Sequence, residues 1–165
     1  MTELFFPTDG YRIRGAADDD MKFIMEHMGE SILLSVDGDE AKLSDLWMKD
    51  ILSITSIAIA DGLMRSEMFI LENSLKERTG ILWMGISRDQ FTCEDTGYLL
   101  GVSVKKELRG KGLGKGLMIC AEEWCRNNGL LSMTLNVGSV NVRAKEFYEH
   151  RGFSERSSVM RKRLR

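Results

Sequence analysis

Four glycines at alternate positions mark the segment of this chain best suited to chemistry. Gly110, Gly112, Gly114 and Gly116 fall in the run Val104-Lys105-Lys106-Glu107-Leu108-Arg109-Gly110-Lys111-Gly112-Leu113-Gly114-Lys115-Gly116, where a strand-like stretch turns straight into a helix-like one. Glycine has no Cβ, so its backbone can approach a ligand closely and can take a positive φ. The N–H groups at the start of a helix have no partner within it, and together with the helix dipole they suit a phosphate or pyrophosphate. Arg109, Lys111 and Lys115 add positive charge around that site. As helix formers the four glycines make little sense, each costing about 1 kcal/mol against alanine.

Spacing excludes two better-known phosphate loops. A Walker A loop needs G-x-x-x-x-G-K-[ST], but Gly114-Lys115 is followed by Gly116, and the residue five before Gly114 is Arg109. A dinucleotide G-x-G-x-x-G also fails, because its last position falls on Lys115 when counted from Gly110 and on Leu117 when counted from Gly112. The pattern present is R-x-x-G-x-G, as Arg109, Gly112 and Gly114, after a strand ending V-x-x-E. A second segment follows, Asn141-Val142-Arg143-Ala144-Lys145-Glu146-Phe147-Tyr148-Glu149-His150-Arg151-Gly152-Phe153, which reads N-x-x-A-x-x-x-Y-x-x-x-G-F.

The two segments, in this order and about 30 residues apart, resemble the acetyl-CoA signature and the following helix of GNAT-type N-acetyltransferases. With the N-terminal strand and helices, the resemblance covers essentially the whole chain, and Gly80-Ile81-Leu82-Trp83-Met84-Gly85 is similar, less specifically, to a family strand. The resemblance implies that acetyl-CoA is the cosubstrate. Backbone groups of Val102, Ser103 and Val104 would hold its pantetheine arm like an added strand. The N–H groups of Arg109, Gly110, Lys111, Gly112, Leu113, Gly114 and Lys115 would bind the pyrophosphate. Asn141 would hydrogen-bond the pantetheine, although read by itself it is equally an N-cap for the helix that follows. Tyr148 would be the general acid that protonates the departing coenzyme A thiolate. A phenol with a pKa near 10 suits a thiol leaving group better than a carboxylic acid does. The competing reading of Tyr148 is a half-buried aromatic beside Phe147.

One position departs from the family pattern. Many relatives carry an acid three residues before the strand valine, where it can help deprotonate the amine; here that residue is Gly101. Glu72, Glu94 and Asp95 are substitutes on neighbouring segments, each also readable as solvated surface, and a chain of waters would serve equally. The activity implied is direct acetyl transfer to a primary amine. An acyltransferase using another acyl-CoA, and a sensor that binds acetyl-CoA without turnover, are the alternatives.

The elements that must position these residues follow from periodicity and punctuation. Tyr11–Arg14 alternates as a strand, and Asp18-Asp19-Asp20 supplies N-cap and first-turn carboxylates to a helix with Met21, Ile24, Met25 and Met28 inward. Gly38 marks a loop, residues 41 to about 54 read as a second helix with Leu43, Leu46, Trp47 and Ile51 inward, and 53–63 fits helix or strand. Met68–Glu72, Gly80–Ile86 and Gly97–Lys105 read as strands, and Leu113–Arg126 as a helix with Leu117, Ala121 and Trp124 inward and Gly129 as C-cap. Leu131–Val137 is a strand, Val142–His150 a short helix and Phe153–Leu164 a closing strand. The order β-α-α-β-β-β-α-β-α-β predicts an α/β fold, a mixed sheet with helices on both faces.

The 165 residues suit one domain spanning 1–165. No apolar run approaches the roughly 20 residues of a membrane span, and the first residues lack the pattern of a signal peptide, so a cytoplasmic protein without membrane contacts is expected. Three cysteines, Cys93, Cys120 and Cys125, make no disulfide framework, and the last two read as small helical hydrophobes. His27 and His150 pair with no cysteine at a zinc spacing, which argues against a metal. Residues 1–104 carry 9 Lys and Arg against 19 Asp and Glu, whereas residues 105–165 carry 14 against 6. A basic C-terminal half suits a phosphate-rich ligand, and an acidic N-terminal half a cationic amine, unless both are simply solvated surface. The basic end from Arg161 to Arg165 lacks interleaved aromatics and any nucleic-acid motif, so a nucleic-acid partner is not expected. Monomer and homo-oligomer are both compatible with the sequence.

Overall fold

The computed structural model describes residues 2–33, 50, 65–160, 162 and 164. Among these residues five strands form one sheet in the order β1-β2-β3-β4-β5, with β1 Tyr11–Gly15, β2 Arg65–Asn73, β3 Arg78–Arg88, β4 Asp95–Val104 and β5 Met133–Leu135. All neighbouring pairs are antiparallel except β4 with β5, which run parallel. The α-helices among the described residues are α1 Met21–Leu33, α2 Leu113–Asn127 and α3 Val142–Glu149. The mixed α/β sheet expected from the order of elements is therefore present. The expected helix over 41–54 and the ambiguous stretch 53–63 lie, apart from Asp50, outside the described residues.

Both faces of the sheet are covered, which explains why its strands read as unbroken apolar runs. Phe69, Leu71, Leu82, Met84, Leu99 and Val104 pack with Leu113, Leu117, Cys120, Ala121 and Trp124 of α2. Ile70, Ile81 and Trp83 point the other way, onto Ile24 and Met28 of α1. A strand buried on both sides loses the polar alternation of a half-exposed one. Of the expected inner face of α1, Met21 is instead exposed. Cys120 and Cys125 are buried hydrophobes as expected, and burial pushes their thiols up to about 12 and about 11. Gly129 ends α2 with φ +72°, and Leu130 N–H reaches back to the Cys125 carbonyl at 2.9 Å.

The closing strand expected over 153–164 is not formed: described residues 153–160 make no ladder. Polar residues dominate 154–158, Val159 and Met160 are fully or nearly fully exposed, and the segment is tied down by side chains instead, Lys145 to Glu155 at 2.6 Å and Arg156 to Asp89. The neighbouring strand β5 also shrinks to three residues from the expected seven.

The acidic run before α1 does more than cap. Ala17, not an aspartate, is the N-cap of the 3-10 turn Asp18–Asp20 that leads into α1, and its N–H donates to Asp20 Oδ2 at 2.8 Å. The Asp20 side chain has no exposed surface and accepts from Arg14 Nη1 at 2.6 Å, Arg14 Nη2 at 3.0 Å and Arg78 Nε at 2.6 Å. Arg14 also donates from Nε to Glu72 at 2.7 Å, so this one network ties β1, β2 and β3 to the start of α1. The hydrogen bonds from Arg14, foremost, hold the Asp20 carboxyl far below the usual range despite its burial. Asp20→Asn removes a buried charge that two guanidinium groups require and should cost about 2 kcal/mol in urea unfolding. Because the folded pKa is depressed, the stabilisation is complete above the unfolded carboxyl pKa of about 3.9 and drains away as pH falls below it. Wild-type stability should therefore drop more steeply than that of the variant below about pH 4.

Candidate active site

β4 is the axis of the site. On one edge it pairs with β3 along its length, from Arg88↔Asp95 to Gly80↔Val104. On the other, β5 pairs only with Gly97, Tyr98 and Leu99. Among the described residues no strand covers that edge from Leu100 to Val104, so the backbone groups of alternate residues there, Val102 and the Val104 N–H, face an open edge that suits an extended ligand, while those of Ser103 face β3. The strands part next to a β-bulge: Trp83 faces Gly101 while Met84 faces Leu99, leaving Leu100 as the extra residue. Asn136, just beyond β5, donates from Nδ2 to Tyr98 Oη at 2.7 Å across the point of separation.

At its far end β4 runs into the glycine loop. Lys105 N–H donates to the Thr79 carbonyl at 2.9 Å, a single 3-10 turn covers Lys106–Leu108, and Arg109 Nε donates back to the Val104 carbonyl at 3.0 Å. Arg109 therefore ties the loop to the strand end. The first hydrogen bond of α2 runs from Gly116 N–H to the Gly112 carbonyl at 3.0 Å, so the N–H groups of Leu113, Gly114 and Lys115 precede the ladder. Gly110, Lys111, Gly112 and Lys115 are exposed at this end.

The alternate glycines prove to have separate reasons. Gly110 and Gly112 have φ of +82° and +80°, a conformation side chains resist. Gly114 is helical, and a Cβ there would meet only the Phe147 ring at 3.7 Å. Gly116 lies where a Cβ would be 2.5 Å from the Phe6 ring, so it serves close packing. The sequence could not separate this last glycine from the other three.

α3 brings the second segment against the loop. Asn141 caps it, Oδ1 accepting from Ala144 N–H at 3.2 Å. Gly152 has φ +85° and turns the chain so that Phe153 N–H donates to the Tyr148 carbonyl at 3.1 Å. The Tyr148 ring sits edge-on between Phe147 and Phe153, with centroids at 5.4 and 5.7 Å, and Phe147 reaches Gly114. Burial pushes the Tyr148 phenol up to about 12, so it holds its proton throughout the neutral range.

The three carboxylates weighed as bases fare poorly by position. Glu72 is buried rather than solvated, and Arg12 and Arg14 hold it at 2.9 and 2.7 Å. Burial would raise its pKa, but those hydrogen bonds more than offset this and lower it. Glu94 and Asp95 are exposed, the latter at the end of β4 away from the glycine loop. At Gly101 itself, the place a side chain would take is occupied by Met28, whose Cε lies 2.2 Å from an ideal Cβ. Only the glycine betrayed this in the sequence, and nothing pointed to Met28 as its neighbour.

The arrangement finds close parallels among known proteins. The model of the Acetyltransferase (GNAT) family matches residues 63–153. YycN of Bacillus subtilis (strain 168), an uncharacterized N-acetyltransferase, is 27% identical over 90 residues, 54% of this chain; the match spans 58% of that relative's length. A protein of Pyrococcus furiosus, provisionally assigned as an acetyl transferase, superposes with a TM-score of 0.77 at 23% identity over 93% of this chain and 99% of its own. Glucosamine-6-phosphate N-acetyltransferase from Arabidopsis thaliana superposes with a TM-score of 0.60 at 24% identity, covering 94% of this chain and 99% of its own.

Proposed function

The chain belongs to the Acetyltransferase (GNAT) family, and from that premise we propose that it transfers the acetyl group of acetyl-CoA directly to a primary amine. The observation that carries this reading is the continuous path from the uncovered edge of β4, through the tied glycine loop, to the start of α2. Pantetheine would lie along Leu100–Val104 as an added strand, with its pyrophosphate over Gly110–Lys115. Asn141 would hydrogen-bond the pantetheine. Tyr148, reached through Phe147 and Gly114, is the acid.

The chemistry follows from the groups present. The neutral amine attacks the thioester carbonyl, the C–S bond breaks, and the leaving thiolate takes the Tyr148 proton. No carboxylate stands at Gly101, and Glu72 is committed to arginines, so the ammonium proton leaves to water. The acidic balance of residues 1–104 favours an acceptor that is cationic in solution. A sensor that binds acetyl-CoA without turnover draws support from that same Gly101, filled by Met28. Thiol release from acetyl-CoA with a panel of primary amines, followed by mass detection of the products, separates the two. The same reading makes the protein a cytoplasmic enzyme.

The pH profile carries a signed expectation. An alkyl ammonium has a pKa near 10.4, and only its neutral form reacts, so kcat/KM should rise about tenfold per pH unit from 7 towards 10. Tyr148 acts in its protonated form, and with its pKa raised to about 12 it should cause no decline within that window. Steady-state rates at constant ionic strength check both limbs. A fall setting in below pH 10, while the protein stays folded, counts against Tyr148 as the acid.

A further inference from the structure

Of the three buried side-chain polar atoms without a hydrogen-bond partner among the described residues, Trp83 Nε1, Ser103 Oγ and Arg151 Nε, the first two belong to residues on the same face of the sheet. Trp83 is 2% exposed and Ser103 6%. Trp83 pairs in register with Gly101, and Ser103 is two residues further along β4, so all three share the face turned towards α1. Buried indole N–H and hydroxyl groups nearly always find a partner, and leaving one unpaired costs the fold free energy. Between them lies the position without a side chain, Gly101. What fills it is the end of a methionine, Met28 Cε at 2.2 Å and Sδ at 2.5 Å from an ideal Cβ. Methionine has three rotatable bonds and no polar atom that must be satisfied, so it can move aside without breaking a hydrogen bond.

The position of these groups matters for the reaction. The opposite face of β4 is packed against α2 and the aromatic residues of α3. An amine that meets a thioester on the edge of β4 from the other face comes past the bulge at Leu100 and Gly101, where the end of Met28 from α1 lies. Trp83 Nε1 can only donate, and Ser103 Oγ can donate as well, so the two together suit an oxygen with two lone pairs.

We infer that Gly101 marks a closed acceptor subsite, plugged by the Met28 thioether, in which Trp83 Nε1–H and Ser103 Oγ–H donate to an oxygen that the acceptor carries two or three bonds from its amine. The inference rests on the acetyl-transfer reading, which it deepens by naming the acceptor class: amino alcohols, amino sugars and amino carbonyl compounds rather than plain alkylamines. Moving Met28 aside gives two stranded donors a partner on acceptor binding. That gain goes only to acceptors bearing the oxygen, which is how a site built for hydrogen bonding rejects an analogue lacking it.

The test compares matched acceptors, ethanolamine with propylamine and glucosamine with cyclohexylamine, on wild type and Trp83→Phe. The wild type should prefer the oxygen-bearing member of each pair. The ratio of kcat/KM values should fall at least tenfold in Trp83→Phe, while the Kd for acetyl-CoA stays unchanged. The thermal melt of free Ser103→Ala should match or exceed wild type, because that variant loses no hydrogen bond, whereas Trp83→Phe also loses buried ring volume and is judged by the acceptor ratio and not by its melt. An unchanged ratio overturns the subsite. So does a melting temperature lowered by several degrees in Ser103→Ala, which would make its hydroxyl part of the fold's own hydrogen bonding. If no amine is turned over, the acetyl-transfer reading fails, and the subsite is judged separately by glucosamine calorimetry with coenzyme A bound. A tenfold weaker Kd in Trp83→Phe supports it; equal affinity or no binding overturns it.

Discussion

Tyr148→Phe should lower kcat by about 10²–10⁴-fold, the usual contribution of general acid catalysis, while acetyl-CoA binds as before. The two expectations follow from one geometry. The variant keeps the ring that packs edge-on between Phe147 and Phe153, and with it the seat of α3 against Gly114. The hydroxyl makes no hydrogen bond among the described residues, so the free protein gives up none, and its melting temperature should stay within a degree or two. What disappears is the proton for the leaving thiolate. That charge exists only as the C–S bond breaks, so the loss appears in kcat rather than in ground-state affinity. Burial strengthens the expectation, because a phenol raised to about 12 is fully protonated wherever the assay is run. The measurement is thiol release at saturating substrates, with acetyl-CoA affinity taken separately by calorimetry. If Tyr148 serves only as an aromatic filler, the swap leaves kcat within about twofold, and the proposed acid is lost with it.

How much of this site could be read from sequence depends on the range of the interaction involved. The glycine loop and the α3 segment are local, and their logic survives without a fold: Gly112 needs a positive φ, Asn141 caps the next turn, and Gly152 turns Phe153 back onto Tyr148. Strands β2, β3 and β4 are legible as apolar runs, though β2 and β3 are longer at both ends than those runs, and β4 starts two residues before Gly97 and stops one short of Lys105. Long-range features were not legible. Glu72 read as surface because its partners, Arg12 and Arg14, are about 60 residues away in the chain. Asp20 read as a cap because Arg78 arrives from another strand. Gly116 looked like a fourth loop glycine until Phe6, from the N-terminal segment, was found against it. The closing strand was credited to Phe153–Leu164 because exposed Val159 and Met160 are indistinguishable in composition from buried ones.

The same local logic makes the glycine loop separable by experiment, glycine by glycine. Gly114→Val should weaken acetyl-CoA binding about 100-fold, or about 2.7 kcal/mol, and leave the fold intact. Gly114 is already helical, and its Cβ would meet nothing closer than the Phe147 ring at 3.7 Å, an ordinary contact. Replacing glycine in the first turn of α2 also removes a poor helix former, which favours the folded state by a few tenths of a kcal/mol. The loss is expected because a pyrophosphate held by the N–H groups of Leu113, Gly114 and Lys115 needs close approach to the backbone, which a branched side chain at Gly114 obstructs. Gly114→Ala adds a single methyl and should give a smaller loss, so affinity should fall with side-chain size while stability does not. Gly116→Val is the opposite control: its Cβ would lie 2.5 Å from the Phe6 ring, so the melting temperature should fall first. Gly112→Val is less informative, since its φ of +80° strains any valine and would mix folding with binding. Calorimetry with acetyl-CoA and thermal melts on the same protein samples give both axes. Should Gly114→Val bind acetyl-CoA within about threefold of wild type, the N–H groups at the start of α2 do not hold the pyrophosphate. The coenzyme would then have to lie elsewhere than along β4 and its loop.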